Sequence, residues 1–203
     1  MDKPTPRWLN HKSCVWKAPK SLRRVEALAS HYPECKDLFH RCLGVESAGT
    51  KHVVNELCFP IPGEPNIEHR FADLMSLLDR LHSKGKDPLS RSEIWRLRHR
   101  PLFPVRRPRY HSEKGVVVMR SMDDYTWYIP DNTIFEDTFR DKVDMLSIPA
   151  ATAKTLRNLF KILMLDHMFL SSAVKQEVKR RGKQRWDNLS EVDFNTRVKY
   201  LSQ

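Results

Sequence analysis

Residues 102–129 read LFPVRRPRYHSEKGVVVMRSMDDYTWYI, and this stretch decides the fold class because its periodicity differs from everything around it. Residues 102–105, 115–120 and 125–129 are short runs rich in Val, Ile and aromatic side chains, the composition of strands. Pro101, Pro104 and Pro108 exclude a continuous helix through the same region. Asp123 and Asp124 are turn formers between the last two runs, so a hairpin is expected there. With no crossover helix between those runs, the pairing is expected to be antiparallel.

Outward from this centre the pattern is helical. Towards the N-terminus, Leu22, Val25, Leu28 and Tyr32 recur at three- and four-residue steps and predict an amphipathic helix ended by Pro33. Leu38, Phe39, Cys42 and Leu43 form a second stripe, with Gly44 placed for a left-handed cap. A third, short helix carries Val53, Val54 and Leu57 inward. Residues 59–65 hold three prolines and a glycine and read as a loop. Asn66 is placed as N-cap of a longer helix with Ile67, Phe71, Leu74, Leu78 and Leu81 on one face and Gly85 past its end. Ser90 and Glu93 have capping-box spacing ahead of Ile94 and Leu97.

Towards the C-terminus, Pro149 suits the first helical position, and Leu156, Leu159, Phe160 and Leu163 make a stripe expected to be buried. Leu170, Val174 and Val178 predict another helix that turns basic at Lys179. Ser190 is placed to cap a last one carrying Val192, Val198 and Leu201. The expected class is α+β, helix-dominated, with a small antiparallel sheet between two helical parts. Residues 1–85 and 149–203 are the helical parts, 86–148 hold the short strands, and together they read as one compact unit.

The 203 residues are 40% hydrophobic and 30% charged, a globular rather than a disordered composition. No apolar run approaches the roughly 18 residues of a membrane span, and residues 1–20 lack an apolar leader segment. Cysteines at 14, 35, 42 and 58 form no CxxC pair and are too few for a disulfide scaffold. An intracellular protein, cytoplasmic or nuclear, is expected.

The net charge is +11, and its placement alternates. Basic blocks lie in residues 1–24, 91–120 and 175–185, while 123–144 are acidic. The positive field favours acidic or polyanionic partners. Within it, Arg96, Arg98, Arg100, Arg106, Arg107 and Arg109 cluster near Trp95, Phe103 and Tyr110. A second group, Lys179, Arg180, Arg181, Lys183 and Arg185, lies beside Trp186. Guanidinium forks suit phosphate, and these eleven residues are the candidate polyanion-binding set. Against this stands the expectation that the arginines pair with the 123–144 acids, and that Trp95, Trp127 and Phe103 are core residues.

Catalytic and cofactor chemistry find no foothold in the sequence. His31, Cys35, His40 and Cys42 fall close together, but Pro33 interrupts them and Cys42 lies on an apolar stripe, so no metal is expected. There is no G-x-S-x-G elbow, no phosphate-cradling glycine loop and no cysteine with a motif-level histidine partner. Asp123 and Asp124 read as solvated turn formers. No catalytic residue and no cofactor are expected.

Several ordered segments nevertheless carry a resemblance. They are CVWKAPKSLRR (14–24), HYPECKDLFHRCLGV (31–45), KHVVNEL (51–57), the helix over 71–81, LFPVR (102–106), TWYIPD (126–131), LRNLFKILML (156–165) and FLSSAV (169–174). Together they resemble a region of the large fungal proteins related to plant NO VEIN and to sacsin, which carry a GHKL-type ATPase-like domain elsewhere. The resemblance implies a helical and small-sheet module distinct from the ATP-binding domain. The ATPase motifs of those proteins have no counterpart here, so no catalytic residue is carried over. The expectation is a non-catalytic protein-interaction or structural module, a short or truncated relative of such proteins with a protein partner. The alternative is a basic nucleic-acid- or polyanion-binding domain.

Overall fold

A computed structural model describes residues 13–59, 66–85, 87–108, 116–124, 126–179 and 195–199, the backbone alone in 175–179 and 195–199. The fold is α+β and helix-dominated, with small antiparallel strand pairs. The chain divides into two compact units, Met1–Arg106 with Val117–Tyr125, and Arg107–Val116 with Thr126–Gln203.

The first unit opens differently from the helical expectation. Strand β1 (Cys14–Val15) pairs in parallel with β2 (Glu26–Ala27), and Leu28–Ser30 make a single 3-10 turn. The reason is tertiary. Trp16 is buried against Leu28 and Val45, and its carbonyl accepts the Ala29 N–H at 3.0 Å, a non-local bond that replaces a helical one. Tyr32, the last residue of the expected stripe, is 52% exposed.

The second expected stripe is also relocated. Leu38–Cys42 form a π turn, closed by the Leu43 N–H donating to the Leu38 carbonyl at 3.2 Å. Widening the turn to an i→i+5 bond rotates the side chains out of the 3.6-residue phase. Phe39 packs against Trp16, whereas Leu38 (52%) and Leu43 (55%) face solvent. Cys42 is exposed for the same reason, not held on a buried stripe. Gly44 adopts the expected left-handed backbone, φ +62°.

From residue 50 the periodicity reads correctly. Helices α1 (Thr50–Cys58), α2 (Ile67–Ser83) and α3 (Arg91–His99) follow in order. Val53, Val54 and Leu57 of α1 and Phe71, Leu74 and Leu78 of α2 are buried, and α1 packs on both α2 and α3. Ser90 and Glu93 make the reciprocal capping box: Ser90 N–H donates to Glu93 Oε2 at 2.8 Å, and Glu93 N–H to Ser90 Oγ. Asn66 stands at the start of α2 in the left-handed region, and its side chain makes no capping bond.

Strand β3 (Phe103–Arg106) pairs antiparallel with β4 (Val117–Arg120), Phe103 opposite Arg120 and Arg106 opposite Val117. The hairpin therefore spans 107–116 and not Asp123–Asp124. Those acids close a local turn instead. Asp124 accepts the Ser121 N–H at 2.6 Å, and Ser121 Oγ accepts that of Asp123 at 3.1 Å. Such side-chain turns compete with ladder pairing for the same backbone groups. Phe103 reaches Phe71 in an edge-on contact at 5.8 Å.

In the second unit Tyr128 and Ile129 make parallel bridges, to Met145 of β5 (Met145–Leu146) and to Phe169. Helix α4 (Thr133–Phe139) starts from Asn132, whose Oδ1 accepts from Ile134 N–H at 2.9 Å. The expected long C-terminal helix is split at Leu156 into α5 (Ala150–Thr155) and α6 (Arg157–Ile162). Leu156, Leu159, Phe160 and Leu163 are all buried, as their spacing predicts. Phe139, Met145 and Leu170 form a neighbouring cluster.

The expected helix over 170–178 stops early. Helix α7 (Leu170–Ala173) ends where Val174 turns extended, and β6 (Lys175–Lys179) pairs antiparallel with β7 (Asn195–Lys199). Val174 and Val178 fit both helical spacing and strand alternation, and their β-branching favours the latter. Val198 likewise lies in a strand rather than a final helix. Ser190, Val192 and Leu201 lie outside the described residues.

Candidate polyanion-binding surface

The candidate surface belongs to the first unit and is built on α1 and α3. Helix α3 buries Leu97, while Ile94 is half-buried. Trp95 is out of phase with that stripe and 60% exposed, which corrects its assignment to the core; Trp127 and Phe103 are buried. The Trp95 ring lies 4.8 Å from that of His99, one turn along. His99 Nδ1 is 2.5 Å from Asp123 Oδ2.

Arg96 lies on the adjacent edge of α3, and Arg100, four residues on, is the C-cap of that helix with extended backbone. Arg96 Nη2 donates to Asn55 Oδ1 at 2.9 Å, and the Arg100 guanidinium lies over the Phe59 ring, 5.8 Å from its centre. Arg24 reaches the same place from the N-terminal segment. Its Nε and Nη2 donate to the Phe59 carbonyl at 3.0 and 2.6 Å, and its guanidinium lies 5.6 Å from the Phe59 ring centre. Among the described residues these three guanidiniums have neutral partners, an amide, a carbonyl and a ring. They are held in place by those neutral groups.

Cys58 of α1 lies among the same cations. Burial pushes the Cys58 thiol up, while the Arg96 and Arg100 charges and an Arg96 hydrogen bond pull the other way. The one buried carboxylate of α1, Glu56, is committed elsewhere. It pairs with Arg70 and accepts the Arg24 N–H at 3.1 Å. The groove beside it is lined by Ile67, Phe71, Leu74, Leu102 and Met119 around this Glu56–Arg70 pair.

The remaining sequence candidates distribute unevenly. Arg98 donates from Nε to Met122 Sδ at 3.0 Å, apart from the Arg96–Arg100 edge. Arg106 ends β3 and pairs with Glu68 at 3.5 Å, and Arg107 is exposed just beyond it. Lys179 ends β6. Arg109, Arg180, Arg181, Lys183 and Arg185 lie outside the described residues, as do Tyr110 and Trp186. The acids of 123–144 find other partners: Asp123 has His99, Asp131 has Arg157, and Glu136 and Asp137 share Arg140.

Arg24 and Phe59 are absent from the sequence-derived set. Arg24 sits 35 residues from Phe59 and was only one of several basic residues near the N-terminus. The out-of-phase position of Trp95 relative to Ile94 and Leu97 was legible in principle. Among the described residues no three His, Cys, Asp or Glu side chains gather as a metal ligand set, and no helix is long and apolar enough to cross a membrane.

Residues 23–174 match the family described as Domain of unknown function (DUF8348). The chain belongs to that family. The matched span covers all of α1 to α7 and hence Arg24, Phe59 and α3. No curated protein and no solved structure matches the chain.

Proposed function

We propose that this DUF8348 chain is a non-catalytic interaction module that binds a protein partner. The observation that carries the reading is the surface made by the π turn, where Leu38, Leu43 and Tyr32 are each more than half exposed. Leu43 and Leu38 adjoin through the i→i+5 bond, and the Tyr32 ring lies 5.8 Å from Phe39. Exposed apolar side chains that gather in a patch mark association sites. The resemblance to a non-ATPase region of NO VEIN- and sacsin-like proteins supports the same reading. The test is quantitative co-purification of the wild-type chain against Leu38→Asp/Leu43→Asp from its native cells. A partner retained by the first and lost by the second, at equal melting temperature, is the expected result. Identical partner sets, or micromolar ATP binding by calorimetry, would overturn it.

A second reading, binding to a polyanion, is favoured by a separate observation: Arg24, Arg96 and Arg100 are oriented by neutral groups around Phe59. Such affinity would be dominated by counterion release, so its logarithm falls with the logarithm of salt concentration by about 0.9 per neutralised duplex phosphate. Arg24→Ala/Arg96→Ala/Arg100→Ala should flatten that slope. No binding at low salt with micromolar protein would refute the reading.

A further inference from the structure

Resting on the polyanion reading, we propose that the α3 surface takes single-stranded nucleic acid, with a base stacked on Trp95 and the flanking phosphates on Arg96 and Arg100. The positions fit this division. Residues four apart on a helix share an edge, and neighbouring positions differ by about 100°. Trp95 and His99 therefore form an aromatic edge of α3, beside Arg96 on the helix and Arg100 at its C-cap. An indole 60% exposed beside guanidiniums held by neutral groups has little reason to be there as packing. His99 props it, ring centres 4.8 Å apart, and is itself fixed by Asp123. The exposed Asp123 carboxylate lies on the aromatic edge and repels phosphate there, which directs the backbone of the strand to the arginine edge and the base to the indole. A duplex cannot use this arrangement, because its base faces are already stacked on one another.

The experiment is fluorescence anisotropy of the purified chain with a labelled oligothymidylate and with a labelled duplex of equal length, at two salt concentrations. Single-strand binding tighter than duplex binding is expected. Trp95→Ala should weaken the single-strand complex about 5- to 150-fold, the usual range for loss of one stacked base, and leave duplex binding unchanged. Trp95→Phe should restore part of it, which a merely structural role would not require, and thermal melts of both variants check the fold. Arg96→Gln/Arg100→Gln should lower the single-strand salt slope by about 0.7 for each contact removed. Equal binding of both nucleic acids, unaffected by Trp95→Ala, would overturn the single-strand assignment while leaving polyanion binding in place. Binding to neither would overturn both.

Discussion

Replacing Glu56 by Ala strikes an ion pair of the first unit whose carboxylate is buried and whose cation is nearly so. The Glu56 side chain is 1% exposed and that of Arg70 11%. Glu56 carries a charge-assisted bond from Arg70 and the bond from Arg24 N–H, and it ties α1 to both α2 and the N-terminal segment. Removing the carboxylate leaves the Arg70 cation buried without its counter-charge, which costs about 3–5 kcal/mol in comparable pairs. For a chain of 203 residues each kcal/mol shifts the melting point by about 2–4 °C, so the variant should melt at least about 6 °C lower. Urea denaturation followed by far-UV circular dichroism gives the free energy directly. The double variant Glu56→Leu/Arg70→Met separates the charge effect from lost packing. Two apolar groups in place of a buried pair are commonly neutral or stabilising, so it should recover most of the loss. A Glu56→Ala loss below about 1 kcal/mol would refute the argument. So would an equal loss from Glu56→Ala in an Arg70→Met background.

Three further outcomes follow from local geometry. Burial, and then the Lys51 charge, lower the His52 pKa, and its Nδ1 accepts the Gly49 N–H at 3.1 Å. The unfolded chain therefore takes up a proton before the folded one does, and stability present above about pH 6.5 is lost as pH falls below it; urea midpoints across pH 5–8 should show this, and His52→Gln should remove the dependence. Asp87 Oδ2 accepts the Thr50 N–H at 2.6 Å, and a Cβ on Gly49 would collide with that oxygen, so Gly49→Ala should displace the cap and destabilise by about 0.5–2 kcal/mol in thermal melts. Met164 holds φ +58° at the end of α6, so Met164→Gly should stabilise by up to about 1 kcal/mol, and a lower melting temperature would show that its side-chain contacts outweigh the backbone strain.

What was legible in the sequence was periodicity under simple packing. Helices α1 to α3 each bury one face on a neighbour, so the positions of Val53, Phe71 and Leu97 could be read directly, and the capping box marked the start of α3. Pairing was less legible. The strands at Phe103–Arg106 and Val117–Arg120 were visible, but their mutual register depends on contacts that no local pattern encodes. The same holds for 22–32, where the burial of Trp16 overrides an acceptable helical stripe. The candidate surface divides along the same line. Arg96 and Arg100 are four apart at the end of one helix and could be grouped from the sequence, whereas Arg24 and Phe59 join them only through the fold. Trp95 reads as core only if a large aromatic is taken as apolar regardless of phase, and its phase relative to Ile94 and Leu97 puts it outside.

The cap on α1 has a consequence for the order of events during synthesis. A nine-residue helix is too short to persist in water alone. Its first turn is completed by Asp87, 37 residues downstream of Thr50, and its buried carboxylate by Arg70, 14 residues downstream of Glu56. As the chain emerges from the ribosome, α1 therefore waits for α2 and for the residues just past it before it can consolidate. Until then the apolar face of Val53, Val54 and Leu57 is uncovered, and this interval is when the nascent chain is most open to chaperone capture or misassociation.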